Sequence, residues 1–430
     1  MKFKIITLGC KVNSYESEYM LEKLLCSGYI YSEDNPDIII INTCSVTNMA
    51  DRKSRKLVHH VKRVYPHAYL AVVGCSSQNH QEEYQKMGID LLLGNRKKSE
   101  VVSILDEFIK AHQPYTYFTN DRALDFEDMK VDRFTTHTRA FVKIQDGCDN
   151  FCSYCIIPYT RGSIRSKDFL AVIDEVKTLV LNGHHEIVLT GIHTGSYESN
   201  GHDLSDLIEE LAKTSGLDRI RISSIEVTEL NDHFLALLKR EDKIANHLHI
   251  PLQSGSDAVL KRMNRKYDTA YYREKIKQIR EIRPDISITT DCIVGHPYET
   301  QECFLKYVQF CLEMKFSKIH VFPYSIRSGT ASALMPQVDE AVKKERVKVL
   351  LNTSLQLENE YAKKSIHQTV DVITEEYVGQ YVVGFTSNYL KVYLKGDYPL
   401  GKRYACVVDR VDKNILYAHV ISCLTEEIKL

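Results

Sequence analysis

The sequence predicts an α/β protein of three consecutive units, and three observations lead to that prediction. Residues 1–111 alternate short β-branched runs with amphipathic stretches, which favours an α/β unit with a parallel sheet. Residues 139–366 repeat a strand-then-helix pattern six times, which indicates a partial (β/α)6 barrel. Residues 367–430 carry short strands punctuated by glycine, as in a small antiparallel β-barrel. Residues 112–138 lack periodicity and are predicted to be a surface linker.

Composition narrows the class of protein. The chain has 430 residues, of which 43% are hydrophobic and 26% charged, as in globular proteins of two or three domains. Its formal net charge is -1, so contact with a nucleic acid would depend on local basic patches. The sequence shows neither a membrane-spanning apolar run nor a signal-peptide core, and we expect a cytoplasmic protein with no membrane partner. In that compartment its twelve cysteines are not expected to form disulfides.

The first unit has a cysteine just beyond each of its three clearest strands. Strands are predicted at residues 3–8, 37–41 and 68–73, and they are followed by Cys10, Cys44 and Cys75. Ligands of parallel sheets bind at the carboxyl ends of the strands, so the three thiols could converge on one metal site. Three unrelated buried cysteines are the alternative.

A basic helical segment follows Cys44. Six of the thirteen residues at 51–63 are Lys or Arg and one is Asp. Arg52, Lys53, Arg55 and Lys56 form either a solvated helix face or a patch that contacts RNA phosphates.

The second unit carries a compact cysteine loop after its first strand. Strands are predicted at 140–144, 186–190, 220–225, 247–252, 286–294 and 318–323, with the active site at their carboxyl ends. Cys148, Cys152 and Cys155 follow the first strand with the spacing C-x-x-x-C-x-x-C. Three thiolates can hold three irons of a [4Fe-4S] cluster and leave the fourth iron open to a substrate. The alternatives are a zinc knuckle or a set of buried thiols, but zinc sites usually add a second C-x-x-C or histidines, and none lies nearby in sequence.

These motifs resemble those of a known family. The cysteine loop resembles the signature of radical S-adenosylmethionine (SAM) enzymes. The segments LGCKVN (8–13), NTCSVT (42–47) and GCSSQ (74–78) are similar to the cluster-binding segments of the radical SAM methylthiotransferases. The resemblance implies a radical SAM cluster on Cys148, Cys152 and Cys155 and an auxiliary [4Fe-4S] cluster on Cys10, Cys44 and Cys75. It also implies an enzyme that replaces an aromatic C–H by C–SCH3 with two SAM molecules.

The same resemblance suggests five SAM-binding residues. Arg161 would pair with the SAM carboxylate unless it caps a helix, and Gly191 would let the backbone approach the SAM amino group unless it only forms a turn. Glu226 would accept from the ribose hydroxyls unless it is a surface residue. Gln253 and Ser254 match a barrel segment of the family and are expected in the SAM pocket.

The segment at 289–300 departs from the family pattern at two positions. His296 and Tyr298 stand where Phe and Gly are typical, and the tyrosine puts a close backbone approach at that turn in doubt.

Further residues are candidates for the RNA substrate. Arg327, in a segment that also matches the family, would orient a phosphate or carboxylate unless it forms a structural ion pair. After a helix predicted over 338–366, the third unit resembles the TRAM domain, an RNA-binding barrel. There Tyr381, Phe385 and Tyr389 would stack on bases unless they form the barrel core.

The substrate and partners are also suggested by resemblance. The segment at 9–17 resembles the branch that acts on N6-threonylcarbamoyladenosine beside the tRNA anticodon. The branch acting on isopentenyladenosine typically has Gln-Met after the first cysteine, and a third branch modifies a ribosomal-protein aspartate. Expected partners are tRNA, an electron donor such as flavodoxin or ferredoxin, and a sulfur donor. A non-catalytic iron-sulfur RNA-binding protein is the alternative from another class.

Overall fold

The computed structural model describes residues 1–135 and 137–425, in which the chain forms parallel-sheet α/β units followed by a closed five-stranded barrel, as the predicted fold class requires. The last residues of the predicted third unit, 426–430, lie outside the described residues. No helix in the described part of the chain is long and apolar enough to cross a membrane.

The first unit is a six-stranded parallel sheet with helices on both faces. Its strands are β1 (Lys2–Thr7), β2 (Ile30–Tyr31), β3 (Ile38–Thr43), β4 (Tyr69–Gly74), β5 (Leu91–Leu93) and β6 (Tyr115–Tyr117), in the order β2-β1-β3-β4-β5-β6. Its helices are α1 (Lys11–Cys26), α2 (Asn48–Val64), α3 (Cys75–Asn79), α4 (Gln81–Gln85) and α5 (Val101–Ala111). Side chains alternate across a strand, so Ile38 and Ile40 enter one core while Ile39 and Ile41 enter the other. The run of four isoleucines is therefore buried on both faces of the sheet.

The segment predicted as a surface linker is part of the packed structure. Strand β6 pairs with β5, so the sheet extends beyond residue 111. Met129, Val131 and Phe134 are buried in the core that the first two units share. The acidic residues that precede them, Asp125, Glu127 and Asp128, concealed this apolar side of the segment.

The second unit is a partial barrel made of two three-stranded parallel sheets. Its strands are β7 (Ala140–Lys143), β8 (Gln145–Asp146), β9 (Arg165–Ser166), β10 (Glu186–Thr190), β11 (Glu198–Ser199), β12 (His202–Asp203), β13 (Arg219–Ile222), β14 (His247–His249), β15 (Ser287–Val294) and β16 (Lys318–Pro323). Its helices are α6 (Ile157–Arg161), α7 (Phe169–Leu181), α8 (Leu204–Ala212), α9 (Asp232–Arg240), α10 (Asp257–Arg262), α11 (Thr269–Ile282), α12 (Gln301–Met314) and α13 (Glu340–Lys363). The sheets have the orders β13-β10-β7 and β14-β15-β16, and the amide of Ile225 joins them by donating to His249 O at 3.0 Å.

The first unit packs beside both edge strands of this partial barrel. Glu16 on α1 pairs with Lys143 at the end of β7, and Asn48 at the start of α2 bonds to Ser325 and Ile326 just after β16. The cysteines of the first unit are thereby brought to the side where the barrel is open.

The third unit is a closed five-stranded barrel, consistent with a TRAM-like domain. Its strands are β17 (Thr369–Val378), β18 (Tyr381–Thr386), β19 (Lys391–Lys395), β20 (Arg403–Asp412) and β21 (Ile415–Cys423). Neighbouring strands pair antiparallel except β19 and β21, which pair parallel. Asp371 pairs with Arg219 at the amino end of β13, so this unit covers the barrel end opposite the cysteine loop.

Candidate active site

The cysteine loop at 148–155 follows the first barrel strand and is held by backbone contacts on both sides. Gly147 has a φ of +78°, and a Cβ there would lie 1.9 Å from Ser163 O, so only glycine fits. The amide of Ser153 donates to Met263 O at 3.0 Å, and the amide of Cys155 donates to Cys152 O at 3.0 Å. The chain therefore turns tightly enough to bring its three partly buried thiols together.

A cavity of about 240 Å³ opens beside this loop at the carboxyl ends of the strands. All three loop cysteines line it, together with Glu226, Gln253, Arg265 and Asp291. Arg265 donates to Cys152 Sγ at 3.2 Å and pairs with Glu226 at 2.8 Å. Glu226 is therefore at the expected place, but its carboxylate already has a partner.

Gln253 and Ser254 have different surroundings. Gln253 has a φ of +64° and lines the cavity, and its carbonyl accepts from Tyr307 Oη at 2.8 Å. Ser254 is fully buried, and its hydroxyl accepts from the amide of Ser256, so it supports the turn from behind and does not line the cavity.

Gly191 makes room for a protein side chain. A Cβ at this position would lie 2.9 Å from Gln145 Oε1, which accepts from the amides of Ile192 and His193 at 3.0 and 2.7 Å. A group does approach this glycine closely, as predicted, but that group is the side chain of Gln145.

His193 lies two residues further along the chain. Burial opposes its protonation, while hydrogen bonds to Cys148 and Glu229 raise its pKa to about 10.

The three cysteines of the first unit converge at the carboxyl edge of its sheet. Gly9 has a φ of +108°, and a Cβ there would lie 2.5 Å from Cys44 Sγ, so this glycine lets the thiol approach. Burial, with smaller contributions from the nearby Cys10 and Cys75, raises the pKa of Cys44 to about 12. Burial likewise raises the pKa of Cys10, where Cys75 acts in the same direction.

Arg161 lies in a buried charge network between the two cysteine sets. Its guanidinium donates to Glu16 at 3.1 Å, to Asp146 at 3.2 Å and to Asn13 at 3.2 Å. Asn13 in turn accepts from Cys10 Sγ at 3.8 Å. The structure thus gives Arg161 partners within the protein instead of leaving it free for the SAM carboxylate.

The wider network carries more positive than negative charge. Its cations are Lys98, Lys143, Arg161 and Arg165, and its carboxylates are Glu16 and Asp146. Although burial opposes the charge, Cys75 and Asp146 raise the pKa of Arg161 well above its usual range. Such an excess of cations suits an anionic group held by the three thiols.

A second cavity, of about 190 Å³, lies between the two cysteine sets. Val46 and Thr47, just after Cys44, line one side, and Cys155 and Gln253 line the other. It is thus within reach of both sets and has the position of a substrate pocket.

Arg327 lines this cavity but forms a structural ion pair. Its side chain is 7% exposed, pairs with Asp51 at 2.5 Å and donates to Ser45 O at 2.7 Å. Burial opposes the ionisation of Asp51, but His80 and Arg327 lower its pKa to about 2. Arg327 therefore joins the barrel to the first unit. Its predicted role in orienting a phosphate or carboxylate is corrected to that of a structural ion pair.

The basic helix α2 keeps most of its candidate residues exposed. Thr47 caps it by accepting from the amide of Ala50, and Asp51 and Ser54 lie on its buried face. Arg52, Lys53 and Lys56 project into solvent, while Arg55 pairs with Glu83 at 3.2 Å.

Two of the three candidate aromatic residues in the third unit dock it onto the partial barrel. Phe385 and Tyr389 are stacked, with the guanidinium of Arg139 5.0 Å from the Phe385 ring and that of Arg221 4.5 Å from the Tyr389 ring. The prediction that these two residues stack on RNA bases is therefore corrected: they pack the third unit against the second. Tyr381 instead contacts Tyr393 and Tyr417, forming a tyrosine cluster of partly exposed rings.

The structure accounts for both departures from the family pattern. Tyr298 has a φ of +64°, a conformation that glycine adopts without strain, and the guanidinium of Arg262 lies 4.0 Å from its ring. His296 is fully buried, with Nε2 2.8 Å from Ser332 Oγ, and supports the cysteine loop through Ser153.

Several site residues were missed by sequence reasoning. Asn13 and Glu16 lie on α1 at helical spacing after Cys10, and Lys143 and Asp146 precede the cysteine loop. The available signal was polar residues at positions of α1 and β7 where the pattern requires apolar ones. Glu16 pairs with Lys143 and Arg161, which are distant in sequence, so this signal alone does not identify the network.

The comparisons with known proteins agree with this geometry. A family model described as "Radical SAM superfamily" matches residues 142–311, and "Uncharacterized protein family UPF0004" matches residues 2–94. Among solved structures, the chain resembles a radical S-adenosylmethionine methyltransferase, TsrM, from Kitasatospora setae, with a TM-score of 0.57 and 13% identity over 77% of each chain. At that identity the likeness concerns the fold alone.

Curated relatives are much more similar in sequence. The chain is 43% identical over 406 residues to the "Threonylcarbamoyladenosine tRNA methylthiotransferase MtaB" of Bacillus subtilis, covering 91% of this chain and 89% of the relative. The protein of the same name from Thermotoga maritima is 36% identical, with 99% and 98% covered. A "tRNA-2-methylthio-N(6)-dimethylallyladenosine synthase" of Thermoanaerobacter is 34% identical, with 87% and 82% covered.

The partial barrel with its three-cysteine loop defines a radical SAM enzyme. More narrowly, the chain belongs to the radical SAM methylthiotransferase family. Enzymes of this family use SAM and carry a second iron-sulfur cluster besides the radical SAM cluster. The residues present fit both groups, since each site offers three thiols and buried cations face them from Arg161 and Arg265.

Proposed function

We propose that this chain methylthiolates C2 of N6-threonylcarbamoyladenosine next to the anticodon of tRNA. The observation that carries the proposal is the cavity of about 190 Å³ that Cys155 and the segment after Cys44 line together. A base bound there lies within reach of both cysteine sets. The choice of nucleoside is supported by relatives at 36–43% identity that bear the corresponding name.

In this proposal each cysteine set holds one [4Fe-4S] cluster. Cys148, Cys152 and Cys155 would hold the radical SAM cluster, and Cys10, Cys44 and Cys75 the auxiliary one. When bound, the radical SAM cluster and SAM would supply a 5′-deoxyadenosyl radical, which is needed because the C2–H bond of adenine offers no easy two-electron route. The auxiliary cluster would carry the sulfur. Iron bound at either set must displace the thiol protons, so loading releases protons.

The residues of the chain orient the groups and exclude water. Glu226 and Gln253 border the cavity beside the radical SAM loop, where they would bind SAM. Asn13 and Arg161 would hold the auxiliary site against the barrel, because their hydrogen bonds join Cys10 to Asp146. Arg327 fixes the far wall of the substrate cavity through Asp51.

RNA binding would use two exposed surfaces. The tyrosine cluster (Tyr381, Tyr393 and Tyr417) offers ring faces for base stacking, with the guanidinium of Arg410 3.6 Å from the Tyr417 ring. The exposed cations of α2 would contact phosphates near the site. An electron donor such as flavodoxin or ferredoxin and a sulfur donor complete the proposed partners, and the cytosol is the proposed compartment.

A second candidate substrate is isopentenyladenosine, because family members at 34–35% identity are named for this nucleoside under its other name, dimethylallyladenosine. Mass spectrometry of tRNA nucleosides from a strain lacking the gene separates the two. We expect loss of the methylthio form of the threonylcarbamoyl nucleoside. Loss of the methylthio-isopentenyl nucleoside alone would contradict the proposal.

A further inference from the structure

Lys11 is a half-buried basic residue near the candidate site whose ammonium has no hydrogen-bond or ion-pair partner among the described residues. It is the first residue of α1 and directly follows Cys10. Within the described ranges 1–135 and 137–425, the ammonium makes no hydrogen bond or ion pair. By contrast, the nearby Lys98 and Lys143 both pair with Glu16.

The surroundings of Lys11 place its side chain inside the partial barrel. It interacts electrostatically with Arg139 and Arg221, at the end where the third unit docks, and with Asp291, which lines both cavities at the other end. Tyr389 also acts on it from the docked end. The two arginines already have partners in Glu375 and Glu186. Among these three described cations, Lys11 is therefore the one that remains available to a ligand.

The barrel interior next to Lys11 is polar. His249, Asp291 and His320 lie on the neighbouring strands β14, β15 and β16, with one ligand atom from each within 4.8 Å of the others. The carboxylate of Asp291 pairs with His249 at 3.4 Å, so it is shared and does not serve Lys11 as a dedicated counter-charge. An apolar substituent in this space would leave these groups desolvated without new partners.

We propose that Lys11 binds the free carboxylate of the threonylcarbamoyl group, so that it determines specificity for the acidic nucleoside. This inference rests on the proposed function. A base in the cavity between the cysteine sets would direct its N6 substituent toward the barrel interior, where Lys11 offers a charge-assisted hydrogen bond. An isopentenyl group offers no acceptor for that ammonium, so Lys11 both favours the acid and disfavours the apolar substituent.

The test is equilibrium binding of three anticodon stem-loop RNAs to anaerobically reconstituted enzyme. The RNAs carry threonylcarbamoyladenosine, its threonyl methyl amide, or unmodified adenosine at the same position. We expect the wild-type protein to bind the acid about 10- to 100-fold tighter than the amide, as for a hydrogen bond to a charged group. K11M should reduce this ratio to within about twofold, and K11R should retain most of it.

K177M, on the exposed face of α7, is the matched control and should keep the wild-type ratio. Iron content and thermal unfolding of each variant check that the auxiliary site is intact, and K11R keeps the test decisive should K11M lose iron. With the acid, K11M should raise KM about 10- to 100-fold and change kcat little, because the lost contact exists before the reaction.

Two results would overturn the inference, and they differ in what else they affect. A K11M enzyme that still prefers the acid as strongly as the wild type refutes the role of Lys11 and leaves the proposed function intact. A wild-type enzyme that methylthiolates only isopentenyladenosine RNA refutes the proposed function, and the inference with it.

Discussion

At the scale of single residues, His296 shows how the cysteine loop depends on a neutral side chain. The ring is fully buried between Tyr154 and Tyr324, and its Nε2 lies 2.8 Å from Ser332 Oγ. Burial lowers the pKa of His296 to about 4, because a charged imidazole would be desolvated there. Protonation therefore opposes the packing that supports Ser153 and Tyr154 in the loop.

This residue predicts a pH dependence of stability. Between the unfolded pKa of 6.5 and the folded pKa of about 4, the unfolded chain binds more protons, so stability falls as the pH falls through this range. The full loss is about 3 kcal/mol. Thermal unfolding of the wild type from pH 7 to pH 5 should show the decline, and H296F should flatten it. Equal slopes for the two proteins would contradict the assignment.

At the scale of elements, helix α2 combines a structural face with an exposed basic face. Asp51, Ser54, Val58 and Val61 are buried, whereas Arg52, Lys53 and Lys56 face solvent. Asp51 attaches the helix to Arg327 beside the substrate cavity, so the basic face is held close to the place where RNA would enter.

The basic face predicts a change in the salt dependence of tRNA binding. Replacing Arg52, Lys53 and Lys56 by glutamine should reduce the slope of log K against log salt by about 2–3, because each phosphate contact releases counterions. Replacement of Lys177, Lys344 and Lys348, exposed on α7 and α13, is the control with the same charge change. An unchanged slope in the α2 variant would assign its face to solvation alone.

At the scale of the whole molecule, the buried charge network joins the first unit to the barrel. Glu16 contacts Lys98, Lys143 and Arg161 while fully buried. These cations hold the pKa of Glu16 well below its usual range against the effect of burial. Glu16 thus helps to fix the relative position of the two cysteine sets, together with the ion pair of Asp51 and Arg327.

Replacing Glu16 by glutamine should therefore strongly destabilise the folded protein. Three buried cations would lose a common counter-charge, and we expect a loss of about 3–5 kcal/mol in the free energy of unfolding. E302Q, which removes an exposed ion pair with Lys306, should leave the thermal midpoint unchanged. Similar midpoints for E16Q and the wild type would show that the network is dispensable.

The third unit is expected to bind tRNA through its tyrosine cluster, a role that exposed tyrosines of the second unit do not share. Y393A and Y417A should each weaken tRNA binding by about 1–3 kcal/mol, as for the loss of a base-stacking ring. Y271A, on the exposed face of α11, should bind tRNA like the wild type. Gel-shift titrations at constant salt measure this, and normal binding by both tyrosine-cluster variants would remove the cluster from the RNA surface.

Much of this architecture is predictable from local pattern. Strands Glu186–Thr190 and Lys318–Pro323 have the predicted bounds, because short runs that contain β-branched residues between helical stretches are clear local signals. Strand Leu91–Leu93 was missed because three residues are too few for a periodicity. The convergence of Cys10, Cys44 and Cys75 was predictable, since parallel strands place their ends on one edge.

The roles of the charged residues were less predictable. Arg161 and Arg327 look like ligand-binding residues in the sequence because Glu16 and Asp51, which pair with them, are far away along the chain. Phe385 and Tyr389 likewise match an RNA-binding pattern, but they pack against the partial barrel of the second unit, which other segments of the chain form. Tertiary packing decided these roles, and no local signal reports it.

The most direct test of the central proposal is an assay of the anaerobically reconstituted protein. It is incubated with dithionite, SAM and tRNA bearing N6-threonylcarbamoyladenosine, and the products are analysed by mass spectrometry. We predict 5′-deoxyadenosine together with the 2-methylthio form of the nucleoside. Deoxyadenosine without any methylthio nucleoside, from protein holding about eight irons per chain, would contradict the proposed substrate.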